Sequence, residues 1–213
     1  GGESFSHRPI SWKDYEEAVR LCHEAGAEIL FPTPRVVREK YQARAQAQLR
    51  KLLTLLPDGV VLEYAGAIEW VKGEESLAVW AGPSMNIFNR EAEKEIENLG
   101  FSGCFLSQEL TIPQIRYIAK GSDIPLGAYV YGRTEMMISE YCAINAVMGD
   151  KDKKHCPMYC MRGRFALKDG EGRRFPIHTD EWCHMHIANC HVLDMRPYFD
   201  ELKKAGLSAL TLD

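Results

Sequence analysis

The sequence predicts an α/β fold: an incomplete or open (β/α) barrel-like parallel sheet, with a Cys-rich β-hairpin inserted near the C-terminus. Three observations carry this expectation. Over the first two thirds of the chain, short apolar runs alternate with helix-forming stretches, the pattern of parallel strands joined by helical crossovers. About six such strands fit into the 213 residues, whereas a closed (β/α)₈ barrel needs eight strands and ~250 residues. From Glu140 onward the period changes, and four of the seven cysteines fall between Cys142 and Cys183.

The elements follow in order. Ser11 is placed to cap a helix from about Trp12 to Ala25, which Gly26 ends. "AEILFPTPR" reads as a buried strand closed by Pro32 and Pro34. Val37 to Leu56 is rich in Gln, Ala, Arg and Leu, all good helix formers, and Pro57-Asp58-Gly59 is a turn. "VVLEY" is a short apolar strand, and "SLAVWAGPSMNIFN" begins as one and leaves through Gly82-Pro83. Arg90 to Leu99 reads as a helix stopped by Gly100. "FSGCFLSQEL" is a strand, and Pro113 sits in the first turn of the next helix, where its missing N–H costs little. "PLGAYVYGRTEMM" reads as one further strand, with Met136 and Met137 as core-packing side chains. "RFALKDGEGRRFPIHTD" is two short strands around Lys168–Gly172, a β-hairpin. "RPYFDELKKAG" is a closing helix and "LSALTLD" a last strand. The expected organisation is therefore a (β/α) portion over 1–138, a Cys-rich segment over 139–190, and a closing helix and strand of the same domain over 191–213.

An apolar fraction of 46% supports a real core, and no apolar run approaches the length of a membrane span. No secretory leader pattern is visible, and an odd number of cysteines leaves at least one outside any internal disulfide. The expected compartment is cytoplasmic, where thiols stay reduced and clustered cysteines point to metal or redox chemistry. The net charge of −4 gives no general case for nucleic acid, but its distribution is uneven. From Asp150 to Arg174 there are eight Lys/Arg against four acids, a basic loop on an acidic body. Such a loop suits an anionic ligand, or is simply a solvated, salt-bridged segment.

Cys142, Cys156, Cys160 and Cys183 are separated by thirteen, three and twenty-two residues. Zinc ribbons usually place two residues between paired cysteines, and the close pair here, "CPMYC", has three. Iron–sulfur clusters accept more varied spacing, and neighbouring Lys and Arg would favour thiolates and offset cluster charge. The plain alternative is four inert cysteines. Cys22 and Cys104 read as core, while Cys190 or His184 in "CHMHIANCH" is a substitute ligand candidate. At the expected carboxyl ends of the strands lie Arg35, Glu63, Asn86, Asn89, Ser107, Glu109 and Arg133, where parallel α/β folds bind ligands. Arg35 and Arg133 suit a carboxylate, so a small anionic metabolite is one candidate ligand. Asn89 equally reads as the N-cap of the helix after it. Trp182, Phe165 and Phe175 flank basic residues, a combination that can stack on unpaired RNA bases or simply fill a small sheet.

"YGRTEMMISEYC", "HCPMYC", "LKDGEGRRFPIHTDEWC" and "IAN" together resemble the signature region of peptidase family U32, the collagenase-like proteases. "PSMNIFN" and "FLSQELTIPQI" are similar to the barrel strands that precede it there. The resemblance implies one of two activities. The family name comes from peptidases with no agreed catalytic residues, whereas related members carry an oxygen-sensitive 4Fe–4S cluster on four cysteines. Those members act in hydroxylation of RNA or a quinone precursor, with prephenate as the implied oxygen source. The positions matching the cluster ligands are Cys142, Cys156, Cys160 and Cys183. Zinc or disulfides are the expected occupants of these thiols if a cluster is lost.

No H-E-x-x-H or G-x-S-x-G is present, and His155 directly precedes Cys156, a poor placement for a thiol–imidazole pair. No catalytic residue can be assigned from sequence. The favoured expectation is thus a U32 protein binding a 4Fe–4S cluster and acting in a hydroxylation-type reaction on RNA or a small metabolite. The alternatives are a collagenase-like peptidase and a zinc-stabilised interaction module. The expected partners are the substrate and, for the strands lacking here, a second copy or a separate chain that completes the barrel. No membrane association is expected.

Overall fold

The computed structural model describes residues 10–149 and 156–212, and the chain divides into two compact units. The first comprises Ser11–Tyr131 and Asp194–Leu212; the second is Gly132–Leu193. Lys151, Lys153, Lys154 and His155 lie outside the described residues.

The first unit begins with α1 (Trp12–Glu24), whose N-terminus is closed by a capping box between Ser11 and Asp14. Strand β1 (Leu30–Pro32) leads to α2 (Glu39–Leu53), then β2 (Gly59–Leu62) and β3 (Ala78–Ala81). Helix α3 (Arg90–Asn98), β4 (Gly103–Phe105), α4 (Ile112–Ala119) and β5 (Leu126–Gly132) follow. Thr111 and Gln114 form a second capping box at α4. Each strand pairs in parallel with the next in sequence, so β1 to β5 stand in chain order and the sheet curls as half of a barrel. The strands are nearly continuous apolar runs because both faces are covered: Val60, Leu62, Ala81, Cys104, Leu126 and Val130 are all buried. Leu49, Ile96, Ile115 and Ile118 supply the helical side of this core. Close strand approach has its own requirement at Gly59, where a Cβ would lie 2.4 Å from the backbone oxygen of Ala78.

The second unit is an antiparallel sheet. It contains β6 (Glu135–Ser139), α5 (Ala143–Met148), β7 (Phe165–Lys168), β8 (Arg174–Thr179) and β9 (Met185–Ala188), in the spatial order β6-β9-β8-β7. All four residues of the inner strand β9 are buried. The chain then returns to the first unit through β10 (Leu193–Asp194), α6 (Phe199–Lys204) and β11 (Ala209–Leu212), which pairs in parallel with β5.

Two expectations need correction. "PLGAYVYGRTEMM" is not one strand but two in different sheets, β5 and β6. Gly132, at φ 126°, breaks the extended run where a side chain would be strained. Met136 and Met137 are also not core: they are 57% and 55% exposed, because β6 is an edge strand of its sheet. In the β7–β8 pair, Phe165 faces Ile177 and Lys168 faces Arg174. No cysteine lies on either strand of that hairpin; Cys156 and Cys160 precede it and Cys183 follows it.

Candidate functional site

Cys142, Cys156, Cys160 and Cys183 all belong to the second unit, and all are free thiols. Three of the four sit at a turn or helix end, and Cys156 lies in irregular chain just before the Cys160 turn. Cys142 is the N-cap of α5, and its Sγ accepts a hydrogen bond from the Asn145 N–H at 3.4 Å. Cys160 sits in a 3₁₀ turn, Tyr159–Met161, entered through Met158 in a left-handed conformation. Cys183 is exposed and itself has φ 61°. Cys156 and Cys160 are half-buried. Among the described residues, no three His, Cys, Asp or Glu side chains stand together as a ready metal-binding group. The donor chemistry thus fits an iron–sulfur centre, while the four sulfurs do not form an assembled set.

The turn carrying Cys183 is built by Asp180. Its Oδ1 accepts from the Trp182 N–H at 2.9 Å and the His184 N–H at 2.7 Å, and its backbone oxygen accepts from the Cys183 N–H at 3.1 Å. These bonds hold Cys183 in a conformation that costs a non-glycine residue roughly 1–2 kcal/mol. The other oxygen, Oδ2, meets His184 Nδ1 at 2.9 Å and lies 3.4 Å from His186 Nε2. His186 Nδ1 hydrogen-bonds Glu135 at the start of β6, and His184 Nε2 lies 3.8 Å from Glu140. Asp180, His184 and His186 are all buried. Burial works against a charged His186, but the facing Asp180 and Glu135 carboxylates outweigh it and raise its pKa to about 9. Burial likewise pushes the Asp180 carboxyl up, and hydrogen bonds from His186 and His184 bring it below its ordinary value. At neutral pH this is a buried cation between two carboxylates, one of which, Asp180, also builds the Cys183 turn.

The sequence reading did not find this network. "CHMH" spaces two imidazoles in a way that fails on a helix, but here the second lies on a strand, where alternate residues share a side. Both rings therefore reach Asp180. The remaining candidates separate. Arg133 lies in the second unit and donates from Nη1 to the backbone oxygens of Asn189 at 2.9 Å and Cys190 at 2.6 Å, tying β6 to the end of β9. Cys190 is half-buried. Cys104 is fully buried as expected for a core residue, and burial with the nearby Glu93 pushes its thiol up to about 12; Cys22 is only half-buried.

In the first unit, Asn86, Ser107 and Glu109 come together. Ser107 Oγ lies 3.4 Å from Asn86 Oδ1 and accepts from the Glu109 N–H at 3.4 Å. Asn86 has φ 56°, so its placement is specific. Asn89 is the N-cap of α3, its Oδ1 accepting from the Ala92 N–H at 2.8 Å. Arg35 is exposed in the loop after β1. Two polar residues not anticipated, Thr33 and Ser84, join Glu63 at the ends of β1 to β3. Thr33 Oγ1 accepts from the Glu63 N–H at 3.1 Å, and the Ser84 N–H donates to Glu63 Oε2 at 3.2 Å. Gly82 makes room for that carboxylate, since a Cβ there would lie 2.5 Å from Glu63 Cδ. Short Thr and Ser side chains beside proline at strand ends were the available signal.

The chain is similar to several known proteins. Over 178 residues it is 25% identical to the 23S rRNA 5-hydroxycytidine C2501 synthase of Escherichia coli, an alignment covering 81% of this chain and 27% of that protein. This chain therefore spans about a quarter of its relative's length. The solved structure of a U32 peptidase superposes with a TM-score of 0.50 at 19% identity, covering 60% of this chain and 55% of the other, which shows a shared fold. The sequence profile of peptidase family U32 matches residues 1–213. On that full-length match, with the half-barrel sheet and the cysteine segment behind it, the chain belongs to peptidase family U32.

Proposed function

We propose that this chain acts in a hydroxylation-type modification of RNA, with a 4Fe–4S cluster held by Cys142, Cys156, Cys160 and Cys183. The observation that carries the reading is the set of four free thiols within one compact unit, in a chain resembling an rRNA hydroxycytidine synthase. When bound, such a cluster supplies redox chemistry or a site for activating a small molecule. The protein's own contribution is to hold the Cys183 turn through Asp180, whose second oxygen faces the buried His186. A cation near thiolates favours their ionised form and offsets the charge of a cluster. A small anionic metabolite as oxygen donor is a further part of the proposal, with Asn86, Ser107 and Glu109 as the grouped polar residues available in the first unit.

The test is nucleoside mass spectrometry on RNA from cells with and without the protein. The reading predicts a nucleoside heavier by one oxygen atom that disappears with the gene and returns with the wild-type chain but not with Cys156→Ala. An unchanged nucleoside profile would overturn the RNA assignment.

A further inference from the structure

The β7–β8 hairpin places like charges where a small sheet does not favour them. Lys168 and Arg174 are directly opposed cross-strand partners, and both are exposed. Like charges in that position destabilise a strand pair by about 0.2–1 kcal/mol. The hairpin's own acids do not relieve the pair. Asp169 Oδ2 accepts from Arg173 Nε at 2.6 Å, and Glu171 Oε2 lies 3.1 Å from Arg173 Nη1, so both carboxylates are committed to one guanidinium inside the turn. Asp169 Oδ1 is further occupied by the Glu171 and Arg173 N–H groups at 2.9 Å each. Exposed Arg162 and Arg164, on the approach to β7, form no ion pair with any described carboxylate, and neither do Lys168 and Arg174.

The side chains beside the pair are small. Side chains two apart on a strand share a face, so Lys168 lies with Ala166, and Arg174 with Pro176 and exposed His178. Ala166 and Pro176 are themselves opposed. Among the described residues, small Ala166 and Pro176 are the nearest side chains to the two cations on that strip. Arg162 lies over the ring of Tyr159 at 5.4 Å, a planar pair of the kind on which an unpaired base stacks.

We infer that this hairpin face, with Lys168 and Arg174 at its centre and Arg162 and Arg164 at its entry, docks the phosphate backbone of single-stranded RNA. The inference rests on the RNA reading above and names where the polymer is held. The bound phosphates supply the negative charge that the cross-strand pair lacks, so a local cost in the free protein is offset in the complex.

The experiment is fluorescence anisotropy of a labelled single-stranded RNA of about 12 nucleotides, titrated with the full chain at several salt concentrations. Wild-type protein is expected to bind with a strong salt dependence. Lys168→Glu is expected to weaken binding at least tenfold and to reduce the salt slope by about 1. The same substitution sets opposite charges across the strand pair, so its thermal midpoint should hold or rise, which separates lost binding from lost folding. Lys203→Glu, an exposed cation in the last turn of α6, is expected to leave binding unchanged. Wild-type protein without salt-dependent binding, a Lys168→Glu variant that binds as wild type does, or an equal loss in Lys203→Glu would overturn the inference. The readout needs no turnover, so its failure is distinct from failure to detect an oxygenated nucleoside.

Discussion

Asp180 divides its carboxylate between two tasks: one oxygen fixes the backbone of the Cys183 turn, and the other meets the buried imidazoles. Asp180→Ala removes both at once and leaves Glu135 to face the buried His186 imidazole from β6. The expected cost is about 3 kcal/mol, the scale for breaking a buried ion pair, seen as a shift in the urea midpoint. The charge state of His186 makes a second prediction. Its folded pKa of about 9 lies above the ordinary 6.5, so its stabilisation is complete below pH ~6.5 and is lost as pH rises through about 9. The shift corresponds to about 3 kcal/mol at most. The depressed Asp180 acts oppositely: its contribution is present above its ordinary 3.8 and is lost as pH falls below that value. Thermal unfolding scanned across pH should show stability declining on the alkaline side of 6.5, and a His186→Gln variant should lose that decline. A profile flat from pH 6 to 9 would contradict the buried cation. Thiol labelling gives a third check: at neutral pH, exposed Cys183 should react first, while Cys104, fully buried with its thiol pushed up to about 12, should stay unmodified until the protein unfolds.

Among the elements, the parallel strands were legible because each is a short apolar run between turn residues. Leu30–Pro32, Gly59–Leu62, Ala78–Ala81, Gly103–Phe105, Leu126–Gly132 and Ala209–Leu212 all lie where the alternation placed them. The capping signals were equally direct, since Ser11 and Asn89 each cap the helix that follows. What escaped was the split between β5 and β6, because one glycine among aromatic and aliphatic residues looks like a continued strand until its φ of 126° is known. The buried strand β9 also escaped: "MHIA" is too short and too mixed to show alternation, and its burial comes from neighbours on both sides. The cysteine positions were legible, but the Asp180 network required knowing that Glu135 and His186, 51 residues apart, meet across neighbouring strands of one sheet. Close packing of the parallel strands makes the prediction at this scale. Gly59→Ala sets a methyl group against the Ala78 backbone oxygen rather than a movable side chain, so it should cost about 1–3 kcal/mol, read as a lowered thermal midpoint. Gly73→Ala, with open space around the position but φ 94°, should cost only the local backbone strain of about 1 kcal/mol.

At the scale of the whole molecule there are two units, each with its own chemistry: the half-barrel sheet has grouped polar side chains at its strand ends, and the second unit carries the four thiols. The chain as a whole belongs to peptidase family U32. The central claim is that the four thiols bind one inorganic centre. Its most direct test is iron and acid-labile sulfide analysis of protein purified without oxygen, for wild type and for Cys142→Ala and Cys183→Ala, the two positions farthest apart in sequence. The account predicts a brown wild-type protein with roughly four irons per chain and absorption near ~400 nm, and loss of colour and iron in both variants. A colourless, iron-free wild type, or variants that keep the full complement of iron, would contradict it.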